Sequence, residues 1–147
     1  MLSEIKKTNI FNEEEFGIYR DDGLAVIQSK SPRTIENTTK KLHKIFNKWV
    51  FKTTVDAGLI KTGFLDIELN LHNKTYIPFR KPNSDILYVN NKSNHPNQIS
   101  KQLPITINER LNNLSSNEES FNRIKHSYQS ALKSANYKFN LTYQKAN

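Results

Sequence analysis

The chain has 147 residues, a formal net charge of +8 at pH 7 and a pI of about 9.6. It has no cysteine, which excludes disulfides, cysteine-based zinc sites and iron–sulfur clusters, and no apolar run long enough to span a membrane as a helix. The hydrophobic fraction of 35% is low for a self-sufficient core, and the basic surplus favours anionic partners, nucleic acid first.

The N-terminal Met1-Leu2-Ser3-Glu4-Ile5-Lys6-Lys7 lacks the apolar core of a signal peptide, so the protein is expected to be intracellular, nuclear or cytoplasmic. Met1 to Thr8 predicts a short helix without an N-cap, and Phe11 to Glu15 a polar, acidic loop. The next stretch, Phe16-Gly17-Ile18-Tyr19-Arg20-Asp21-Asp22-Gly23-Leu24-Ala25-Val26-Ile27, sets two short apolar runs around a polar tip. Asp22-Gly23 is a strong tight-turn signal, which predicts a β-hairpin ending near Gln28 with two carboxylates at its bend. Adjacent carboxylates disfavour each other's ionised form unless a cation or basic group joins them. Such a pair suits Mg²⁺, a hard ion that takes oxygen ligands and keeps sites for water and phosphate. Taken alone, Asp-Asp-Gly is most often a plain surface turn.

Ser31 as N-cap and Pro32 at the first helical position predict a helix over Arg33 to Lys48. Ile35, Leu42, Ile45, Phe46 and Trp49 fall mainly on one face, and Lys40, Lys41, Lys44 and Lys48 load the other. That charge run reads first as a solvated face and second as a phosphate contact. Val50 to Val55 is β-rich, and Asp56-Ala57-Gly58 is a turn. Gly63 to Leu71 predicts the clearest strand, with Phe64, Leu65, Ile67, Leu69 and Leu71 in near period two. His72-Asn73-Lys74 turns the chain, Thr75 to Arg80 returns antiparallel, with Pro78 indicating an edge, and Ile86 to Val89 is a last short strand. Beyond Asn90 the pattern is helical: a turn over Ile99 to Leu103 ended by Pro104, a helix over Ile105 to Leu114, and a helix to about Asn136 opened by a capping box, Ser116-x-x-Glu119. Lys138 to Asn147 reads as a frayed, basic tail. The histidines His43, His72, His95 and His126 are scattered without metal-site spacing.

Several blocks carry a family resemblance. Tyr19-Arg20-Asp21-Asp22 between apolar strands resembles the Tyr-x-Asp-Asp box of reverse-transcriptase palms. Gly63-Phe64-Leu65-Asp66 resembles the Phe-Leu-Asp motif that follows the palm in Penelope-like retroelements. Tyr76-x-x-Phe79-Arg80-Lys81-Pro82-Asn83, Leu87-Tyr88-Val89 and Ser93-Asn94-His95-Pro96 resemble their Tyr-Arg-Lys-Pro and Ser-Asn-His-Pro block. The run from Leu103-Pro104 through Arg110, Ser115-Ser116, Phe121 and Tyr128 to Ala131-Leu132 resembles the start of their thumb. The likeness covers about Leu2 to Tyr143.

This resemblance implies an α+β fold: a partial palm, an antiparallel sheet with a packed helix, over residues 1–90, and a helical thumb-like region with a basic tail over 91–147. It implies an RNA-directed DNA polymerase working by two-metal nucleotidyl transfer with Mg²⁺, an RNA template, a DNA primer and a dNTP. Asp21 would ligate metal and Asp22 would be its acidic neighbour; Tyr19 would lie under the primer end or nucleotide. Lys61 is either the lysine that assists pyrophosphate departure or an exposed loop lysine. Arg80 and Lys81 would lie near the primer strand. Tyr76 and Tyr88, with Lys101 and Arg110 on the thumb, would extend the nucleic-acid surface, or else the aromatics are core and the bases solvated. His95 reads as a structural loop residue. In the family a further catalytic aspartate and the fingers precede the hairpin, and no residue before Phe16 fits that aspartate. The chain is therefore expected to be a C-terminal palm-and-thumb fragment, inactive alone. The alternatives are a non-enzymatic basic nucleic-acid-binding module or retroelement relic, and an unrelated α+β interaction domain.

Overall fold

The computed structural model of the protein describes residues 5, 16–26, 31–49, 52 and 54–144. The expected helix over Met1 to Thr8, apart from a buried helical Ile5, lies outside these residues. So do the Phe11–Glu15 loop, the end of the first hairpin at Ile27-Gln28, the positions Val50, Phe51 and Thr53, and the last three residues of the tail. The fold is α+β, with two small antiparallel sheets and three helices among the described elements. It divides into two compact units, Met1–Ile60 and Lys61–Asn147, and the change of composition near Asn90 falls inside the second.

The first unit opens with strands β1 (Phe16–Tyr19) and β2 (Asp22–Ala25), paired antiparallel from Phe16↔Ala25 to Tyr19↔Asp22. The hairpin is as expected, but its turn is Arg20-Asp21, not Asp22-Gly23. Gly23 lies in β2 opposite Ile18, and the positive φ of 55° falls on Arg20. A two-residue hairpin needs positive φ in its loop to match the strand twist, and here a non-glycine residue supplies it. The Arg20 guanidinium lies 5.4 Å from the Tyr19 ring centroid, a cation–π contact that helps hold this conformation.

Helix α1 (Pro32–Asn47) starts where Ser31-Pro32 predicts. Ser31 contributes its backbone carbonyl, which accepts from Thr34 N at 3.0 Å and Ile35 N at 3.1 Å. Leu42 and Ile45 are buried, while Trp49, just past the helix, is half exposed. The described residues of the β-rich stretch that follows, Lys52, Thr54 and Val55, form no strand.

The second unit begins with β3 (Lys61–Phe64), β4 (Ile67–Asn70) and β5 (Thr75–Pro78), an antiparallel sheet in that order. The single strand expected over Gly63 to Leu71 is thus a hairpin. Phe64 and Leu65 are consecutive apolar residues and cannot share a face of one strand. Leu65 instead takes φ 54° in a turn with Asp66 and is left 44% exposed. The second turn matches expectation: Asn70 Oδ1 accepts from His72 N at 3.1 Å and Asn73 N at 3.4 Å. Beyond β5, Phe79 N donates to Asp66 O at 2.8 Å, and the Phe79 ring lies against Gly63. The short strand expected over Ile86 to Val89 is absent. This stretch pairs with no strand, Leu87 is 86% exposed, and Tyr88 packs on the core.

Helices α2 (Asn97–Asn113) and α3 (Glu118–Ser134) carry that core: Ile107, Leu111, Phe121, Ile124 and Leu132, with Ala135, Tyr137 and Leu141. Pro104 does not end a helix as expected. It is buried inside α2, so packing offsets its missing N–H. The N-cap of α3 is Asn117, whose Oδ1 accepts from Ser120 N at 2.8 Å; Ser116, expected in that role, bonds the Ser120 hydroxyl and donates its N–H to Tyr76 O. The expected frayed tail is also corrected. Asn136, at φ 64°, turns the chain back, Leu141 is fully buried, and the Tyr143 ring packs tilted at 59° against Phe121 with centroids 5.7 Å apart.

Candidate functional site

Two sets of polar residues stand out, one in each unit. At the hairpin tip Asp21 occupies the turn and Asp22 begins β2, both exposed. Tyr19 is directly opposite Asp22, so the two side chains share one face, and Tyr19 is half exposed. Two exposed carboxylates one residue apart suit a magnesium ion that completes its oxygen shell with water and phosphate. Among the described residues no cluster of three or more His, Asp or Glu could hold a metal ion.

The second set is built by the junction of the three-stranded sheet with α2 and α3. Arg80 follows β5 and donates through Nη2 to Ser84 O at 2.9 Å. Arg110, in the last turn of α2, pairs through Nη2 with Asp66 Oδ2 at 3.1 Å, with both side chains largely exposed. Two phenols sit in the field of these guanidiniums. Half-burial raises the Tyr88 phenol to about 12, the neighbouring Tyr128 adds to the rise, and Arg110 and Arg80 oppose it. Burial likewise raises Tyr128, with Arg80 and Arg110 opposing and Asp66 reinforcing. Two guanidiniums, one of them paired with the Asp66 carboxylate, thus act on two protonated phenols, a group rich in N–H and O–H donors. That arrangement can bind an anionic oxygen ligand such as a phosphodiester.

Of the residues predicted from sequence, the structure therefore brings together Arg80, Tyr88 and Arg110. Tyr128 was missed. It lies on the apolar face of α3 and reads as core, although a tyrosine on such a face carries a polar tip that needs a partner. Lys61 is exposed in β3 opposite Asn70, in a strand rather than a loop. Lys81 is exposed, with its carbonyl accepting from the Ser84 hydroxyl at 3.0 Å. Tyr76 is exposed on β5, and Lys101 is exposed on α2. No hydrogen bond, ion pair or ring contact among the described residues joins these four side chains to the arginine–tyrosine group. His95 Nδ1 bonds the Ser93 hydroxyl at 3.0 Å, a contact within its own loop.

A scan against protein-family models, a search of curated proteins and a search of solved structures each returned no match. No helix among the described residues is long and apolar enough to cross a membrane.

Proposed function

We propose that the chain carries the aspartate hairpin, later palm and thumb of a reverse-transcriptase-like polymerase of the Penelope-like kind. The observation that supports this best is the hairpin tip. Tyr-x-Asp-Asp forms a two-residue turn with Asp21 in the loop, and Tyr19 and Asp22 are cross-strand partners. In this reading Asp21 and Asp22 hold Mg²⁺ together with nucleotide phosphates. Tyr19 packs under the primer end, Lys61 serves pyrophosphate departure, and Lys81, Tyr76 and Lys101 extend the primer and template surface. RNA template, DNA primer and dNTP are the partners.

A second reading, binding without chemistry, is favoured by the arginine–tyrosine group, because guanidinium and phenol donors serve a phosphate backbone whether or not a metal site works, with Arg110 exchanging Asp66 for phosphate. One pair of experiments separates the two. Mn²⁺, standing in for Mg²⁺, added with a dNTP should broaden the amide resonances of Arg20 to Gly23, and Asp21→Asn should abolish the effect. Fluorescence anisotropy with a labelled RNA–DNA primer–template should show binding that Arg80→Gln/Arg110→Gln weakens about tenfold or more. Primer–template binding without hairpin broadening would leave only the binding module. Broadening that survives Asp21→Asn would remove Asp21 from the metal site.

A further inference from the structure

We propose that α1 carries a second nucleic-acid contact, a lysine track that follows a phosphate backbone. This inference rests on the nucleic-acid reading above but uses a different surface.

The helical repeat places Arg33, Lys40, Lys41, Lys44 and Lys48 within about 100° of arc. All five are exposed. The only acidic residue of α1 is Glu36, which pairs with Lys40. Lys40 lowers the Glu36 carboxyl below its usual range, chiefly by their hydrogen bond and then by its charge. Beside the Glu36–Lys40 pair, Arg33, Lys41 and Lys44 keep the stripe positive. Over the 15 steps from Arg33 to Lys48 the helix rises about 22 Å, a length over which each strand of a duplex carries about six phosphates.

The opposite side of the helix bears on the class of partner. Leu42 and Ile45 are buried, so these side chains are not available to insert into a lipid surface as those of an interfacial helix are. The same burial fixes which way the lysines point. A stripe of one sign on an anchored helix fits a backbone of the other sign, read through phosphate rather than through bases.

The test compares log K with log salt for a labelled primer–template duplex, using the full chain, Lys40→Gln/Lys41→Gln/Lys44→Gln, the matching triple arginine variant, and Arg80→Gln/Arg110→Gln. Circular dichroism checks that each variant keeps the helix content of the parent chain. The glutamine triple should flatten the slope by about two to three, and the arginine triple should restore it. An unchanged slope in the glutamine triple, while Arg80→Gln/Arg110→Gln weakens binding, would overturn the lysine track and leave the nucleic-acid reading standing. No binding by the parent chain would overturn both. Sedimentation with phosphatidylserine vesicles that the glutamine triple abolishes, with the duplex slope unchanged, would also overturn it, in favour of a membrane surface.

Discussion

Tyr88 illustrates how one side chain ties the core to the candidate site. Its ring packs on the helical core while its hydroxyl lies in the field of Arg80 and Arg110, and its phenol is raised to about 12 mainly by burial. The sign of the linkage follows. Between pH 10, where an unfolded tyrosine releases its proton, and about 12, where the folded one does, the folded chain holds more protons than the unfolded chain. Stability should therefore fall with rising pH across that window. Other groups titrate there too, so the comparison is with Tyr88→Phe: urea melts at several pH values should show the parent losing stability relative to the variant. Parallel curves would mean that Tyr88 titrates alike in both states. Gly63 is a second residue whose identity has a local cause. A Cβ there would lie 2.8 Å from Phe79 Cε2 and 3.0 Å from Cδ2, so the ring must move. Gly63→Ala should cost about 1 kcal/mol, an overpacking penalty at the low end because Phe79 is 39% exposed. In a double-mutant cycle with Phe79→Ala the penalty should vanish; if it persists, the clash is not with this ring.

At the scale of elements, the sequence was legible where local signals agreed with packing. Helix α1 follows from Ser31-Pro32 and the spacing of Leu42 and Ile45, and the turn after β4 from His72-Asn73-Lys74, while the part Asn70 plays in it was read as strand. Three elements were obscured by stronger local signals. The near alternation from Phe64 to Leu71 hid the turn at Leu65, where a hairpin lets Ile77 reach the core despite a costly left-handed leucine. Pro104 reads as a terminator because burial, which sequence does not display, offsets its missing hydrogen bond. The last segment reads as a basic tail although Tyr137, Phe139, Leu141 and Tyr143 alternate. Side-chain amides hold its backbone as a neighbouring strand would. Gln129 donates to Phe139 O at 2.7 Å and accepts from Leu141 N at 2.9 Å. Asn112 donates to Thr142 O at 3.0 Å and accepts from Gln144 N at 2.6 Å, while Asn108 accepts from Thr142 N at 2.8 Å. Of the candidate site, the aspartate pair and Arg80, Tyr88 and Arg110 were legible from motifs. Tyr128 was not, because helix periodicity marks a face and not the depth of a hydroxyl. If the amides hold the segment, Gln129→Ala should cost about 1–3 kcal/mol, since it leaves a carbonyl and an N–H without partners. The urea midpoint should drop with the slope unchanged. A variant within a few tenths of a kcal/mol of the parent would show that water replaces the amide and that apolar packing alone holds the segment.

At the scale of the whole molecule, the two units differ in what can stabilise them. The second unit surrounds α2 and α3 with a continuous core in which Phe121, Leu132 and Leu141 are fully buried and Leu111 nearly so. In the first, the hairpin β1–β2 is a two-stranded sheet of four-residue strands in which every residue is exposed or half-buried. Two strands alone are marginal in water, and local opening is easiest where few apolar groups are buried. Hydrogen exchange should therefore rank the amides: those of α2 and α3 should exchange slowest, with opening energies near the global value, and those paired across Phe16–Ala25 should exchange much faster. The ranking bears on chemistry. A metal-binding aspartate pair needs its hairpin held in one geometry, and a hairpin that opens readily binds with an affinity reduced by the fraction of time it is closed. Adding Mn²⁺ with a dNTP should then slow exchange at the hairpin selectively, because a ligand that binds only the closed form stabilises it. Equal protection in hairpin and helices before any ligand is added would instead mean that the hairpin opens only when the rest of the chain unfolds, and its carboxylates would already be fixed in place.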